Sequence, residues 1–404
     1  MRILVADKLA SFVPGRLQDL GAEVILDPKL SGDALTARIR EKGPDVLVVR
    51  STKVTRADVE AHRALALVVR AGAGVNTIDL AACSSRGVYV TNCPGKNAAA
   101  VAELTIGHLV NLDRRIADNV AALRSRRWDK KDFGLARGLR GRTLAVLGAG
   151  SIGSEVIRRA RAFGMRIVVW SKDFTDHDAA MLGVEVRATP EEAVRGADAV
   201  TVHLALVPET RGRIGESVFE AMKPGAYFVN TSRGEVVDQA ALAAALDAKG
   251  LRAGLDVFEH EPATSEGKFE DAIADNPRVY GTHHIGASTD EAEEAVGDEV
   301  VRIVRAYRDG RTIPNCVNLA VKTPATHVLV VRHADRVGVL AGVLGVLREA
   351  NINVQDMQNV IFDGSAAACA RIAVIGEPGA DALARVAASG DVFAVSVSPA
   401  GVAG

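Results

Sequence analysis

The chain has 404 residues, a formal net charge of −1 and 25% charged residues, a length that suits two or three domains. Because Lys and Arg balance Asp and Glu, composition excludes broad attraction to nucleic acid or to an anionic membrane, so neither is expected as a partner. The first apolar run is too short for a signal sequence, and no run approaches a membrane span. Scattered cysteines without a C-x-x-C pair predict neither a metal site nor a disulfide framework, and favour a cytoplasmic protein.

Short β-type runs alternate with helix-like stretches through the first 97 residues. This alternation predicts a parallel sheet with helices on both faces, a doubly wound α/β domain. In such sheets, ligands bind at the loops that follow the strands. The predicted strands are residues 3–6, 22–26, 45–50, 67–71 and 89–91.

Two of these loops carry features suited to anions. In the loop 50–53, Arg50 and Lys53 flank Ser51, and these cationic side chains can grip a phosphate or carboxylate. In the loop 70–76, glycines such as Gly74 let backbone amides converge on an anion. For each loop, the alternative is a plain turn with a solvated charge.

The stretch 143–153 organises the rest of the chain, because it contains a G-x-G-x-x-G pattern between a predicted strand and a predicted helix over 154–163. Gly148 permits the turn, Gly150 lets the backbone approach a pyrophosphate, and Gly153 lets the helix lie close to the strand. The helix N-terminus then stabilises the phosphates through free amides and its dipole. The pattern predicts a dinucleotide-binding domain.

The choice between NAD and NADP stays open. After a second predicted strand, 165–170, an acidic residue would bind the adenosine ribose, but Ser171 occupies that position, followed by Lys172 and Asp173. A hydroxyl and an ammonium group can accept a 2′-phosphate, which favours NADP. Alternatively, Ser171 binds the ribose of NAD and Lys172 is solvated.

The remaining pattern predicts a second doubly wound domain and a small third one. Further strands are predicted at 184–187, 199–204, 227–230 and 254–257, a helix at 97–112, and an exposed basic connection at 124–140. A helix over 291–308 is expected to pack back on the first domain, which would then comprise residues 1–97 and 284–320, around a dinucleotide-binding domain at 98–283. After a linker at 314–325, residues 326–404 show the βαββαβ order of a ferredoxin-like unit.

Three residues after the glycine pattern can support oxidation of a hydroxyl group. Arg233 follows an apolar run, and its planar guanidinium can bind a carboxylate through two parallel hydrogen bonds. His284 can exchange a proton with the hydroxyl, since histidine titrates near neutral pH. Glu261 is a candidate partner that would orient the ring and stabilise its protonated form.

The chain contains several motifs that resemble, in their order and spacing, those of the D-isomer-specific 2-hydroxyacid dehydrogenase family over residues 1 to about 320. The resemblance implies that Arg233 clamps the substrate, that His284 is the acid/base, supported by Glu261, and that Asp256 contacts the nicotinamide. His284 is preferred to His283 because it directly precedes Ile-Gly. The motifs are residues 148–153, Ala-Phe-Gly-Met at 162–165, Ser-Arg-Gly at 232–234, Leu-Asp-Val-Phe at 255–258 with Glu-Pro at 261–262, and His-Ile-Gly-Ala-Ser-Thr at 284–289.

The same resemblance implies further binding residues. For the cofactor they include Ser151, Ile152 and Ser232, and for the substrate Arg50, Ser51, Gly74, Val75 and Asn97. The tail resembles the ACT domains found in some members, in which His333, Asp335 and Asn353 would bind L-serine as an effector, although Asp335 replaces an asparagine. Alternatively, the tail only assembles subunits. We expect a homo-oligomer, a dimer or a tetramer.

The sequence therefore predicts an enzyme that oxidises 3-phospho-D-glycerate to 3-phosphooxypyruvate with NAD(P), the first step of L-serine biosynthesis. A first alternative is an NADPH-dependent glyoxylate or hydroxypyruvate reductase, favoured by Ser171 and Lys172. A second is a nucleotide-sensing regulator related to transcriptional corepressors. Arg50 and the ACT-like tail argue against the first alternative, and the trio Arg233, Glu261 and His284 argues against the second.

Overall fold

The computed structural model describes residues 1–172, 174–262 and 267–400. The chain forms two compact units, of which the first is Met1–Asn318 and the second begins at Leu319. Among the helices of the described ranges, none is both long and apolar enough to cross a bilayer.

The first unit begins with a five-stranded parallel sheet of order β2-β1-β3-β4-β5. Helices cover both faces, and the apolar residues of the central strands β1, β3 and β4 are buried, as the alternation of strands and helices predicts. We call this sheet and its helices the first lobe. Its elements are β1 (Arg2–Val5), α1 (Val13–Asp19), β2 (Glu23–Leu26), α2 (Asp33–Lys42), β3 (Val46–Val49), α3 (Arg56–Glu60), β4 (Leu67–Arg70), α4 (Leu80–Ser85) and β5 (Tyr89–Thr91).

Three helices lead from the first lobe to the glycine pattern: α5 (Ala98–Arg114), α6 (Ile116–Arg124) and α7 (Lys130–Phe133). The predicted helix over 97–112 is confirmed as α5, which ends where Arg115 adopts a left-handed conformation with φ of 51°. Within the predicted connection at 124–140 lies the short helix α7, and the Asp129 carboxylate caps its N-terminus.

The second lobe is a seven-stranded parallel sheet of order β12-β11-β10-β9-β6-β7-β8, with helices between the strands. The strand order reverses at β6, so the loops after β6 and β9 open the crevice in which doubly wound folds bind nucleotides. Its elements are β6 (Thr143–Leu147), α8 (Ser151–Ala162), β7 (Arg166–Trp170), α9 (Asp176–Leu182), β8 (Glu185–Val186), α10 (Pro190–Val194), β9 (Ala199–Val202), α11 (Glu216–Ala221), β10 (Tyr227–Asn230), α12 (Gln239–Lys249), β11 (Arg252–Leu255) and β12 (Val279–Gly281).

Two strand predictions in the second lobe differ from the structure. The strand predicted at 254–257 is β11, which lies two residues earlier, because the chain leaves the sheet at Asp256 to bind a neighbouring turn. Strand β12 was not predicted, since its three residues are only partly buried and carry little apolar periodicity. It adds an edge strand next to the loop that contains His284.

The chain then returns to the first lobe through α13 (Asp290–Arg308). Apolar residues of α13, such as Val300 and Ile303, pack in one core cluster with Ile3 and Val48 of the first sheet. The predicted linker at 314–325 is partly wrong, because the Asn318 side chain accepts a hydrogen bond from the Val90 amide at 2.9 Å and fixes this segment against β5.

The second unit confirms the predicted βαββαβ order of a ferredoxin-like fold. Its antiparallel sheet has the order β14-β15-β13-β16, and apolar side chains from its strands and both helices share one core cluster. The elements are β13 (His327–Ala334), α14 (Val339–Glu349), β14 (Asn353–Ile361), β15 (Ala367–Ile375), α15 (Ala380–Ala387) and β16 (Val392–Pro399).

Candidate active site

The glycine loop between β6 and α8 has the geometry that a dinucleotide requires. Gly148 has a φ of 97°, and a Cβ there would lie 2.7 Å from the carbonyl oxygen of His203 in the neighbouring loop. A Cβ on Gly153 would overlap the Gly148 carbonyl, so only glycine lets α8 approach β6 this closely.

Gly150 differs from the other two glycines because a Cβ at this position would meet no atom within 4 Å. Its φ of −68° is also accessible to any residue. In the described ranges, the amides of Gly150, Ser151 and Ile152 donate no hydrogen bond within the protein. The open space and the free amides at the N-terminus of α8 therefore fit a pyrophosphate.

The other predicted cofactor residues lie around the same crevice. Ser171 follows β7 and is half-buried, Lys172 is exposed, and Asp173 lies outside the described residues. Ser232 is buried, and its hydroxyl donates to Asn230 Oδ1 at 2.8 Å. Ser171 and Lys172 thus lie at the carboxyl end of β7, and their contact with the ribose stays a prediction, whereas the Ser232 hydroxyl is used by the protein itself.

Arg233 is held by a loop that Asn230 organises at the end of β10. Asn230 accepts from the Ser232 amide at 3.0 Å and donates to the Arg233 carbonyl at 2.9 Å. A Cβ on Gly234 would overlap the Phe258 carbonyl, which brings this loop against the one that carries Glu261. Sequence analysis gave Asn230 no role, although its position at the end of a buried strand was a signal.

His284 and Glu261 meet as predicted from the sequence. His284 Nδ1 lies 2.7 Å from Glu261 Oε2, and Glu261 Oε1 accepts from the Phe258 amide at 3.0 Å. Because an ionised carboxylate only accepts, Nδ1 carries a proton and Nε2 of the neutral ring is an acceptor. This arrangement equips His284 to take a proton from a hydroxyl group.

The surroundings of Glu261 favour its ionised form. Burial alone would raise the pKa of Glu261, but the hydrogen bond and charge of His284, together with the Phe258 amide, hold it below its usual value. Glu261 therefore remains a carboxylate at neutral pH and remains able to orient the ring.

Asp256 is 1% exposed and binds the turn that carries His284. Its carboxylate accepts from the Ile285 and Gly286 amides at 2.9 and 2.8 Å and from the Thr282 hydroxyl at 2.7 Å. The contact with the nicotinamide that the resemblance implies stays a prediction, and in the structure Asp256 organises the turn at His284.

The loop after β3 is filled by a residue that sequence analysis missed. The amides of Arg50, Ser51 and Thr52 all donate to Asp7 Oδ2, at 2.6, 3.1 and 3.0 Å. Asp7 follows β1, which neighbours β3 in the sheet. Because these amides are occupied, Arg50 and Ser51 can meet a substrate only through their side chains.

Arg70 is a second residue whose side chain sequence analysis passed over. It lies beside Val49 in the β3–β4 register, and its guanidinium fills the space beside Gly72. Burial, and next the charge of Arg233, lower the pKa of Arg70 to about 10, with a smaller contribution from Arg50. The Arg70 guanidinium stays protonated at neutral pH. Because the charges of Arg233 and Arg50 act on it, Arg50, Arg70 and Arg233 together form one cationic region.

Gly74, Val75 and Asn97 are three further predicted substrate residues. The Arg233 guanidinium stands against Gly74, and the amides of Gly74 and Val75 donate no hydrogen bond within the described ranges. Asn97 is the N-cap of α5, and its buried Oδ1 has no partner among the described residues. Arg50 itself pairs with Glu293 of α13 at 2.7 Å. The groups available to a ligand thus come from both lobes.

The structure does not bring the three predicted effector residues together within one chain. His333 is buried opposite Ala368, Asp335 is exposed, and Asn353 lies opposite Ile375. Ala368 and Ile375 are seven residues apart on β15, which corresponds to about 23 Å. A site that uses both His333 and Asn353 would need residues from two copies of the chain.

The chain is similar in sequence to a known family model and to curated proteins. Residues 106–286 match the family model of the D-isomer specific 2-hydroxyacid dehydrogenase NAD binding domain. The D-3-phosphoglycerate dehydrogenase of Methanocaldococcus jannaschii is 38% identical over 327 residues, which cover 79% of this chain and 60% of that protein. The chain thus spans about 60% of the length of this curated relative.

Solved structures with the same architecture cover the greater part of the chain. The TT0316 protein from Thermus thermophilus is 31% identical with a TM-score of 0.70, and the match covers 78% of this chain and 100% of that one. An NAD+-bound 3-phosphoglycerate dehydrogenase of Entamoeba histolytica is 26% identical with a TM-score of 0.66, covering 80% and 99%.

Proposed function

The chain belongs to the D-isomer-specific 2-hydroxyacid dehydrogenase family, and we propose that it oxidises 3-phospho-D-glycerate to 3-phosphooxypyruvate with NAD, as the first step of L-serine biosynthesis. The observation that carries this choice of substrate is the cluster of Arg50, Arg70 and Arg233. A 2-hydroxy acid needs one arginine for its carboxylate, and two further cations suit a second anionic group.

The residues have distinct roles in this proposal. Arg233 binds the carboxylate with the amides of Gly74 and Val75, and Arg50 and Arg70 bind the phosphate. The bound nicotinamide supplies the hydride acceptor. His284 Nε2 accepts the proton of the substrate hydroxyl, since Nδ1–H is committed to Glu261. The free amides at the N-terminus of α8 hold the cofactor pyrophosphate.

A steady-state assay of nicotinamide absorbance tests the proposal. 3-Phosphooxypyruvate, hydroxypyruvate and glyoxylate would each be tried with NADH and with NADPH. We expect the highest kcat/KM for the phosphorylated acid with NADH. A preference for glyoxylate or hydroxypyruvate with NADPH would support the reductase alternative and assign Ser171 and Lys172 to the 2′-phosphate. An absence of turnover with all three acids would favour the regulator.

The second unit is proposed to be an ACT-type regulatory domain that binds L-serine through His333, Asp335 and Asn353. Because His333 and Asn353 are far apart in one chain, this proposal requires two copies to share each site. Calorimetry of the full chain with L-serine should show binding that His333→Ala abolishes. If the intact chain gives no heat, assembly is the simpler role for this unit.

We also propose that the enzyme is a cytoplasmic homo-oligomer. Several large apolar side chains on α6 and the segment after it are exposed, including Leu123, Trp128 (80% exposed) and Leu135. Exposed apolar side chains of this kind suit contact with a second copy of the chain. Sedimentation velocity should give a dimer or a tetramer, and Trp128→Glu should shift it toward the monomer.

A further inference from the structure

A chain of side-chain hydrogen bonds runs from α5 to the turn that carries His284. His108 on α5 is 4% exposed, and its Nε2 lies 3.1 Å from Thr282 Oγ1. The Thr282 hydroxyl lies 2.7 Å from Asp256 Oδ1. The proposed reaction assigns no role to His108 or Thr282.

The hydrogen bonds in this chain have one direction. Because the Asp256 carboxylate only accepts, the Thr282 hydroxyl must donate to it, and Thr282 Oγ1 therefore accepts from His108 Nε2–H. Burial lowers the pKa of His108, with the charge of Asp256 opposing, so the ring is neutral at physiological pH. Its single proton is then on Nε2, and each donor strengthens the next.

The far end of the chain holds a turn that is unfavourable by itself. His284 has a φ of 50°, a left-handed conformation that residues with a side chain rarely adopt. The Asp256 carbonyl accepts from the His284 amide at 2.8 Å, and the Asp256 carboxylate binds the next two amides. The orientation of Asp256 therefore determines the orientation of His284.

Packing fixes His108 as firmly as hydrogen bonding does. A Cβ on Gly254 would lie 2.8 Å from His108 Cβ, so the absence of a side chain on this residue of β11 lets the imidazole lie against the strand. The same strand leads directly into Asp256. Thus α5 and β11 together set the position from which His108 reaches Thr282.

We propose that His108 is a positioning residue for His284, which acts by orienting the Thr282 hydroxyl toward Asp256. The inference rests on the proposed role of His284 as the acid/base. By fixing Asp256, His108 stabilises the left-handed turn that aims His284 Nδ1 at Glu261.

Two substitutions at position 108 separate the hydrogen bond from packing. His108→Leu keeps similar bulk but removes the donor, whereas His108→Gln keeps an N–H group in place of Nε2–H. We expect His108→Leu to lower kcat about tenfold, with the KM for the keto acid and the Kd for NADH unchanged. His108→Gln should recover most of the loss. Equal kcat in His108→Leu and the wild type would overturn the proposal, as would equal losses in the two variants.

A double-variant cycle tests whether His108 and Thr282 act in one chain. Thr282→Val removes the hydroxyl with little change of shape, and the double variant should be no slower than Thr282→Val alone. Additive losses would mean that the two residues act separately. Thr282→Val also carries the test if His108→Leu fails to fold.

Amide hydrogen exchange gives a readout that does not depend on turnover. In His108→Leu, the Ile285 and Gly286 amides should exchange faster, because their acceptor is less firmly oriented. Exchange as slow as in the wild type would contradict the proposal. A wild-type protein that turns over none of the three acids would contradict the proposed function instead, and the exchange rates would still report on the role of His108.

Discussion

Each of the two parallel sheets of the first unit carries a loop that is predicted to bind an anion, and the two loops are built in opposite ways. After β3, the amides of residues 50–52 are all occupied by the Asp7 carboxylate. After β6, the amides at the start of α8 are open, and Gly150 faces empty space. The same doubly wound architecture thus gives one loop whose amides are occupied by a carboxylate of the protein and one loop whose amides are free to bind a ligand.

This difference separates two kinds of recognition. A free backbone binds a pyrophosphate through groups that every residue has, so the second lobe suits a constant ligand, the cofactor. A loop whose amides are occupied can recognise an anion only through its side chains, so Arg50, together with Arg70 of the neighbouring strand, is proposed to set the choice of substrate. Replacing side chains in the first lobe should therefore change specificity, whereas changing the glycine loop should change cofactor binding.

The largest effect is expected from His284→Ala, which removes the proposed proton acceptor and leaves both predicted anion-binding loops unchanged. We expect kcat to fall about 10³-fold, because the variant lacks the group that takes the hydroxyl proton. The Kd for NADH, measured by fluorescence, and the KM for 3-phosphooxypyruvate should stay close to wild-type values. Activity near the wild-type level would remove His284 from its proposed role.

The glycines of the second lobe should respond differently to a single methyl group. Gly153→Ala should lower the free energy of unfolding by about 1–3 kcal/mol, because its Cβ overlaps the Gly148 carbonyl. Gly150→Ala should leave thermal unfolding unchanged and weaken NADH binding about tenfold, since its Cβ enters only the space assigned to the pyrophosphate. Wild-type NADH affinity in Gly150→Ala would place the pyrophosphate elsewhere.

Asp7→Ala should free the amides of the loop after β3 and make it resemble the glycine loop after β6. Three amides would lose their acceptor, so we expect the free energy of unfolding to fall by about 1–2 kcal/mol. Added sulfate should then raise the melting temperature of the variant more than that of the wild type, because the exposed amides can bind an anion. Asp7→Asn keeps an acceptor oxygen and serves as the matched control. Equal effects of sulfate on all three proteins would argue against a latent backbone site.

The smallest effect is expected from Glu293→Gln. Glu293 pairs with Arg50 and, in the proposed function, would compete with the substrate phosphate for the same guanidinium. Removing its charge should lower the KM for 3-phosphooxypyruvate about threefold, within the range expected for an exposed ion pair. Glu294→Gln changes the charge by the same amount one residue further along and should leave the KM unaltered. A rise in KM would mean that Glu293 helps Arg50 to bind substrate.

Local patterns made most of the fold predictable from sequence. Apolar runs predict the strands of both parallel sheets. Glycines such as Gly148, which has a positive φ, mark turns that follow these strands. Strand β12 was missed because three partly buried residues carry little periodicity. The two-residue shift of β11 follows from the hydrogen bonds between Asp256 and a turn 29 residues away, which no local pattern contains.

The candidate active site likewise combines residues that short motifs reveal with contacts that only long-range pairing creates. Arg233, Glu261 and His284 stand in short motifs, so their chemistry could be recognised before their geometry was known. Other contacts depend on long-range pairing: Asp7 meets Arg50 across 43 residues, and His108 meets Thr282 across 174. The effector site of the second unit stays a prediction, because His333 and Asn353 lie far apart in one chain and their pairing would need a second copy.

The claim that side chains of the first lobe select the phosphorylated acid is tested by the effect of Arg50→Ala on two substrates that differ only in the phosphate. We predict that kcat/KM falls about 30-fold for 3-phosphooxypyruvate, the loss expected for a charge-assisted hydrogen bond, and changes little for hydroxypyruvate. Arg56→Ala, which removes an exposed arginine from the same lobe, is the matched control and should affect neither substrate. Equal losses for the two substrates in Arg50→Ala would contradict the claim that side chains of the first lobe select the phosphorylated acid.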